Sequence, residues 1–102
     1  MTIPQIVADL CARVNDLEGT RREKFLDWLN KHHRTNQPTT KETLPAFLNT
    51  WLGSLSPQGL QWEVHLLLDE ITWWRNLSVA RLWHMLEAER LFGLIVQINC
   101  ST

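Results

Sequence analysis

Residues 56–76, SPQGLQWEVHLLLDEITWWRN, carry the strongest periodic pattern in the sequence. Ser56 before Pro57 is typical of a helix N-cap followed by the first helical residue. Large apolar residues then recur at alternating intervals of four and three, which is the spacing of one helix face. They are Leu60, Val64, Leu67, Ile71 and Trp74. The stretch therefore predicts a long amphipathic helix.

After Asn76 the apolar pattern shifts by one position. It continues through Val79, Leu82 and Leu86, which predicts a break and a fifth helix capped by Ser78, with one bent helix as the alternative. Residues 94–98 are mostly apolar and rich in β-branched side chains, so they fit either a continuing helix or a short extended strand. We expect the helix, because the chain has no second strand-like run with which such a strand could pair.

Two shorter helices are predicted at the start of the chain. Thr2 with Gln5 is a capping-box pattern, and Thr20 with Glu23 repeats it. Apolar residues follow each pattern at helical spacing, and Gly19 is expected to end the first helix. The short junction at 18–20 predicts a hairpin or a sharp corner. The apolar face of the second helix consists of Phe25, Leu26, Trp28 and Leu29.

A polar segment separates these helices from the next one. Residues 35–43 contain Asn36, Pro38 and several threonines, a composition that favours a loop. Thr43 or an earlier threonine is expected to cap a third helix that ends at Gly53. The apolar residues of that helix are Leu44, Phe47, Leu48, Trp51 and Leu52.

Together these elements predict an all-α fold, a compact bundle or orthogonal array of about five helices, with a short extended C-terminal segment as the alternative. Residues 1–102 are expected to form a single helical domain. Within it, residues 1–34 form an N-terminal helical hairpin, 35–43 a polar linker, and 44–102 a short helix plus a long C-terminal helical pair. We expect that pair to carry most of the core.

Composition excludes several classes of protein. The chain has 102 residues, of which 44% are hydrophobic and 21% charged, with a net charge of −1, so collagen-like and intrinsically disordered chains are excluded. It lacks an apolar stretch of membrane-spanning length and a leader pattern, so we expect a soluble cytoplasmic protein with no membrane partner. Cys11 and Cys100 are expected to be free thiols, and a bridge between them is the alternative.

The motifs of common active sites are missing. A nucleophilic site shows a strained turn such as GxSxG or a cysteine with a supporting histidine, and a phosphate-binding loop shows closely spaced glycines. In this chain the four glycines stand apart, and Cys11 lies in an apolar helical stripe. We therefore expect no catalytic activity and no bound cofactor.

Residues that ligate metals occur in two places. His32 and His33 are adjacent, while His65 and Asp69 lie four residues apart on one face of the predicted long helix. No HExxH motif accompanies them, so we expect a surface contact between His65 and Asp69 and no metal. The acidic pairs of the last two helices are expected to lie on a solvated face.

Charge is distributed unevenly along the chain. Residues 19–41 hold six basic and two acidic side chains, which gives this segment a net charge of +4. Such a segment favours contact with a phosphate backbone through release of counterions. The candidate phosphate contacts are Arg21, Arg22, Lys24, Lys31, His32, His33, Arg34 and Lys41.

Tryptophan is unusually frequent, since the chain has six and no tyrosine. Three fall on the apolar stripes and are expected in the core, namely Trp28, Trp51 and Trp74. The others fall beside the stripes, where exposed tryptophan near arginine is typical of protein interfaces. The predicted interface residues are Trp62, Trp73, Arg75 and Trp83.

These observations predict a non-catalytic helical protein–protein interaction module that acts as an adaptor, inhibitor or assembly subunit. Its expected partner is another protein, a second copy of itself, or both. The alternative is a nucleic-acid-associated accessory subunit of a larger nucleoprotein complex, which would contact the phosphate backbone through residues 21–41.

Overall fold

The computed structural model of the chain describes residues 2–33 and 38–100. These residues form five α-helices and no strand, which confirms the all-α prediction and the helical interpretation of the C-terminal residues up to 100. The helices are α1 (Ile3–Asn15), α2 (Gly19–His33), α3 (Leu44–Gly53), α4 (Pro57–Asn76) and α5 (Val79–Cys100).

Most helix starts follow from local hydrogen bonds that the sequence predicts. Thr2 and Gln5 form the full capping box, with the Gln5 amide donating to Thr2 Oγ1 at 3.3 Å and the Thr2 amide donating to Gln5 Oε1 at 2.8 Å. Ser56 caps α4 by accepting the Gly59 amide at 3.1 Å. Ser78 Oγ accepts the Arg81 amide at 3.2 Å, so the break before α5 is confirmed.

The junction between α1 and α2 differs from the prediction. Helix α1 ends at Asn15, and Gly19 begins α2 instead of ending α1. The predicted Thr20–Glu23 capping box is wrong, because Glu18 Oε1 accepts the Arg21 amide at 3.3 Å and so serves the first turn of α2. Between the two helices, Leu17 is buried and joins the core.

The described part of the predicted linker, residues 38–43, contains neither helix nor strand. Asn30 holds it against α2 through two bonds: its amide nitrogen donates to the Thr39 carbonyl at 3.2 Å, and its oxygen accepts the Thr39 amide at 2.7 Å. These bonds satisfy the backbone of Thr39, which is buried. Thr43 is the N-cap of α3, but its side chain makes no capping bond.

The core lies mainly among the first three helices. Ten of the fifteen buried hydrophobic residues precede Gly53, so the expectation that the C-terminal helical pair carries most of the core is wrong. A long apolar stripe measures how amphipathic a helix is, whereas burial also requires neighbours. The buried residues are Val7, Leu10, Val14, Leu17, Phe25, Leu26, Leu29, Leu44, Leu48, Leu52, Leu67, Ile71, Trp74, Leu77 and Leu82.

The helices pack in pairs that are not consecutive in the chain. Helix α1 lies mainly against α3 and α2 mainly against α4, while α1 and α2 contact each other less, which fits the sharp corner of the two predicted junctions better than the hairpin. At Leu77 the backbone is extended (φ −63°, ψ 129°), and α4 and α5 diverge there instead of packing side by side. The C-terminal pair is therefore a bent pair.

Helix α5 extends away from the body formed by α1–α4. Every side chain described after Glu87 is exposed. The radius of gyration is 16.0 Å, whereas a compact domain of this length has about 13 Å, and the longest dimension is 53 Å. A 22-residue helix is about 33 Å long, so α5 accounts for the elongation.

Candidate interaction surface

The outer face of α4 carries two of the predicted interface tryptophans. Trp62 is 63% exposed and Trp73 is 48% exposed. They lie eleven residues apart, close to three helical turns, so they share one face at a separation of about 16 Å along the axis. Trp73 meets the buried Trp74 edge to face, with ring centroids 4.6 Å apart, and the core residue thereby limits its rotation.

An open groove of about 560 Å³ lies where α4 turns into α5. Trp73 and Thr72 line it from α4, and Arg81 lines it from the first turn of α5. Asp69 also lines the groove, so its rim contains both an acidic and a basic side chain. This mixture of an exposed indole and charges resembles the edge of a protein interface.

Helix α5 carries the third predicted tryptophan and most of the other exposed apolar surface. One side of the helix packs on the core through Leu82, Met85 and Leu86. Elsewhere apolar side chains face solvent, including Val79 at 77% exposure, Phe92 at 68% and Trp83 at 63%. The exposed set is completed by Leu91 and Leu94.

Arg75 does not join the tryptophans. Its position on α4 lies about 160° around the helix from that of Trp73, because each residue advances the helix by about 100°. Its neighbours in a small cleft include Arg13 and Leu17, at the end of α1. The structure thus brings Trp62 and Trp73 to one face, puts Trp83 on α5, and separates Arg75 from all three.

Of the three tryptophans that the sequence predicts in the core, only Trp74 is buried. Its Nε1 donates to Glu70 Oε1 at 3.1 Å, while burial raises the pKa of that carboxyl group despite the hydrogen bond. Trp28 and Trp51 pack against the core but remain partly exposed. Both of them instead contact histidine rings at the end of α2.

Three of the candidate phosphate contacts are occupied by bonds within the chain. The Arg21 guanidinium donates to the carbonyl oxygens of Trp74 at 2.6 Å and Leu77 at 2.5 Å, which are otherwise unpaired at the end of α4. Arg22 reaches carbonyl oxygens at the end of α1 at 3.4 and 3.5 Å. Lys24 forms an ion pair with Glu89 of α5.

The remaining candidates are fewer and dispersed. Lys31, His32 and Lys41 are exposed, whereas Arg34 lies outside the described residues. His33 is half-buried, and its pKa is lowered by burial and by the neighbouring His32. The basic segment therefore offers a smaller phosphate-binding surface than its sequence predicts.

The candidate thiol and metal residues are also placed by the structure. Cys11 is a free, half-buried thiol whose pKa is raised by burial, while the side chain of Cys100 lies outside the described residues. His65 Nε2 and Asp69 Oδ2 lie 3.3 Å apart on the exposed surface, as the sequence predicts.

A further cluster contains one residue, Glu63, that no sequence pattern singles out. One ligating atom each of His32, His33 and Glu63 lies within 4.8 Å of the others. Glu63 is thirty residues from His33 in the chain, and no motif of fixed spacing connects them. Only the packing of α2 against α4 brings the three side chains together.

Comparison with protein-family models, with curated proteins and with solved structures finds no match for this chain. Among the described residues, no helix combines the length and apolar character needed to cross a membrane.

Proposed function

We propose that this chain is a non-catalytic helical protein–protein interaction module, an assembly subunit that associates through α5. The observation that carries this proposal is the distribution of apolar side chains on that helix. They occur on the side that packs on the core, on the opposite side, and at Phe92, yet only the first side is covered. A helix that carries large apolar side chains beyond its core-facing side normally buries them against a partner.

The partner that we favour is a second copy of the chain. Trp83, Glu87, Arg90 and Leu94 follow one another at intervals of four, three and four residues, so they form one line along the outer side of α5. When two such helices pack antiparallel about a two-fold axis between residues 88 and 89, Trp83 faces the second copy's Leu94. Glu87 then faces Arg90, so the line is complementary to itself in both shape and charge.

The charges on this line support the same arrangement. Within one chain, Arg90 and Glu87 already form an ion pair at 3.0 Å, with 59% and 38% of their side chains exposed. An antiparallel copy adds the reciprocal pairs without placing like charges opposite each other. Val79 and Leu91 lie beside the line and extend the apolar area that two copies bury.

The nucleic-acid alternative has less support than the interaction surface. Arg21, Arg22 and Lys24 hold helix ends and α5 in place, so their charges are partly neutralised within the chain. We therefore assign these residues a structural role. The test below includes nucleic acid, so it also detects phosphate binding.

The test is light scattering on a sizing column over a dilution series, with and without a short mixed-sequence nucleic acid. We expect a dimer that dissociates on dilution and does not respond to nucleic acid. Trp83→Ala should weaken the dimer by about 30-fold or more, the loss typical of an interface hot spot. Trp62→Ala is the matched control and should leave the dimer unchanged, because Trp62 has the same 63% exposure but lies on α4, outside the α5 interface. Circular dichroism should show unchanged helicity in both variants.

A charge exchange distinguishes a second copy from an unrelated partner. Glu87→Arg alone and Arg90→Glu alone each place like charges across the antiparallel interface and should weaken the dimer. The double variant restores opposite charges and should recover it. A chain that stays monomeric at all concentrations contradicts the self-association proposal, and a shift only with nucleic acid at low salt favours the alternative.

A further inference from the structure

A group of polar and aromatic side chains at the end of α2 is not used by the proposed interface. His32 and His33 close α2, and Glu63 reaches toward them from α4. All three residues are described, yet no hydrogen bond or ion pair joins Glu63 to either histidine. Their ligating atoms lie within 4.8 Å of one another, and neither histidine is bonded to Glu63.

A second and independent feature is a buried nitrogen of His33 that has no hydrogen-bond partner among the described residues. His33 Nε2 is the one buried side-chain nitrogen or oxygen in the described part of the chain that has no hydrogen-bond partner. A buried polar atom without a partner costs free energy, and native proteins usually satisfy such an atom with a protein group, a water molecule or an ion. No group in the described part of the protein forms a hydrogen bond with this nitrogen.

Aromatic rings hold both imidazoles in place. Trp28 stacks on His32, with centroids 5.3 Å apart and planes inclined by 8°. Trp51 meets His33 edge to face at 3.9 Å, and Phe47 packs near the same ring at 5.7 Å. Rings restrained in this way lose little freedom when they bind a ligand, so the site is partly preorganised.

We infer that His32, His33 and Glu63 form a binding site for a divalent transition-metal ion of the zinc type, independent of the α5 interface. Two imidazole nitrogens and one carboxylate oxygen are a ligand set that Zn²⁺ accepts, with a fourth position left for water. Ligand atoms around a tetrahedral zinc lie about 3.3 Å apart, given bonds of about 2.0–2.1 Å. Side-chain rotations that move each ligating atom by about 1 Å toward the centre of the cluster would reduce the present separations, of up to 4.8 Å, to that distance.

Metal binding at this place links two helices that already pack together. His32 and His33 belong to α2 and Glu63 to α4, so the ion joins the end of one helix to the first turns of the other. Because the unfolded chain does not hold the three groups together, zinc should bind the folded state preferentially and raise the unfolding midpoint.

The experiment uses the full chain without a histidine tag, stripped with a chelator and titrated with zinc chloride. Calorimetry should show one zinc bound per chain, and the thermal midpoint should rise with zinc concentration. Glu63→Gln preserves the size of the side chain but removes its charge, and should weaken zinc binding by about 10- to 100-fold or abolish it. His32→Gln should do the same.

His65→Gln is the matched control, because His65 is an exposed histidine of α4 that pairs with Asp69 outside the cluster. Zinc affinity should be unchanged in this variant. Absence of saturable zinc binding to the wild-type chain overturns the inference without recourse to any variant. It is equally overturned if Glu63→Gln binds zinc as tightly as wild type, or if His65→Gln loses as much affinity as the cluster variants.

Discussion

Helices α3 and α5 are both rich in apolar residues, but the protein uses them in opposite ways. The ten residues of α3 bury Leu44, Leu48 and Leu52 to an exposure of 2% or less, between α1 and α4. In α5, Phe92 and most of the other apolar side chains that the structure describes, up to residue 94, lie in solvent. The difference teaches that the number of neighbouring elements, rather than the apolar content of a helix, decides how much of it is buried.

The contrast implies that stability and binding are properties of different parts of the chain. Burial of a leucine contributes about 1.5–3 kcal/mol, so the α1–α4 body holds most of the favourable free energy of folding. Residues 88–94 of α5 are exposed and lack such contacts, so this stretch depends on its helical hydrogen bonds and on the Lys24–Glu89 ion pair. The following four experiments test this division, from the largest expected effect to the smallest.

The sharpest test compares two leucines. Leu48→Ala should lower the free energy of unfolding by about 2–5 kcal/mol, because it empties a fully enclosed position in the core. Leu91→Ala makes the same chemical change at an exposed position of α5 and should alter it by about 0.5 kcal/mol or less in the monomer. Urea unfolding at a concentration where the chain is monomeric measures both. Equal losses would show that α5 is as tightly packed as α3.

A polar contact connects the two regions. Arg21→Ala should destabilise the fold by about 2 kcal/mol, because two carbonyl oxygens at the α4–α5 corner lose a charged donor. Arg75→Ala removes an exposed arginine of the same helix end and should have little effect. Denaturant midpoints of the two variants give the comparison. Similar midpoints would mean that Arg21 holds neither carbonyl in solution.

A change within α5 tests whether that helix is limited by its own propensity. Gly93 lies inside α5, and a Cβ there meets nothing within 4 Å. Gly93→Ala should therefore stabilise the helix by about 1 kcal/mol, with no packing cost. Amide hydrogen exchange should slow about fivefold in the second half of α5 and stay constant in α3. Unchanged exchange in α5 would indicate that a contact other than helix propensity sets its stability.

The smallest effect concerns pH. Since burial raises the pKa of Glu70, the folded chain binds this proton more tightly than the unfolded chain does. The contribution of Glu70 to stability is therefore most favourable at low pH and declines as the pH rises through the folded-state pKa. Glu70→Gln still offers an oxygen to Trp74 but does not titrate, so the variant should lose less stability than wild type between about pH 4.5 and about pH 7. Parallel unfolding curves at both pH values measure the difference.

The sequence predicts local features of this fold well. Thr2, Ser56 and Ser78 mark helix starts because a cap depends on bonds between residues three apart. The exposure of Trp62, Trp73 and Trp83 is likewise predictable, because each lies beside the apolar stripe of its own helix.

Features that depend on residues distant in the chain are not predictable in this way. Arg21 has the sequence context of a surface cation, yet it bonds to carbonyls more than fifty residues away. Glu63 joins two histidines only because α2 packs on α4. The share of the core in the C-terminal helical pair is not predictable for the same reason, since helical periodicity contains no information about which helix lies opposite.

The Arg21 contact also controls the angle at which α5 leaves the α1–α4 body. The Arg21 guanidinium donates to the Trp74 carbonyl in the last turn of α4 and to the Leu77 carbonyl, where the chain turns into a helix about 33 Å long. A rotation of about 10° at that corner moves the far end of the helix by about 6 Å, so one side chain sets the direction in which the proposed interface of α5 faces. Small-angle scattering of Arg21→Ala should accordingly show a broader spread of the longest dimension, while every helix keeps its length.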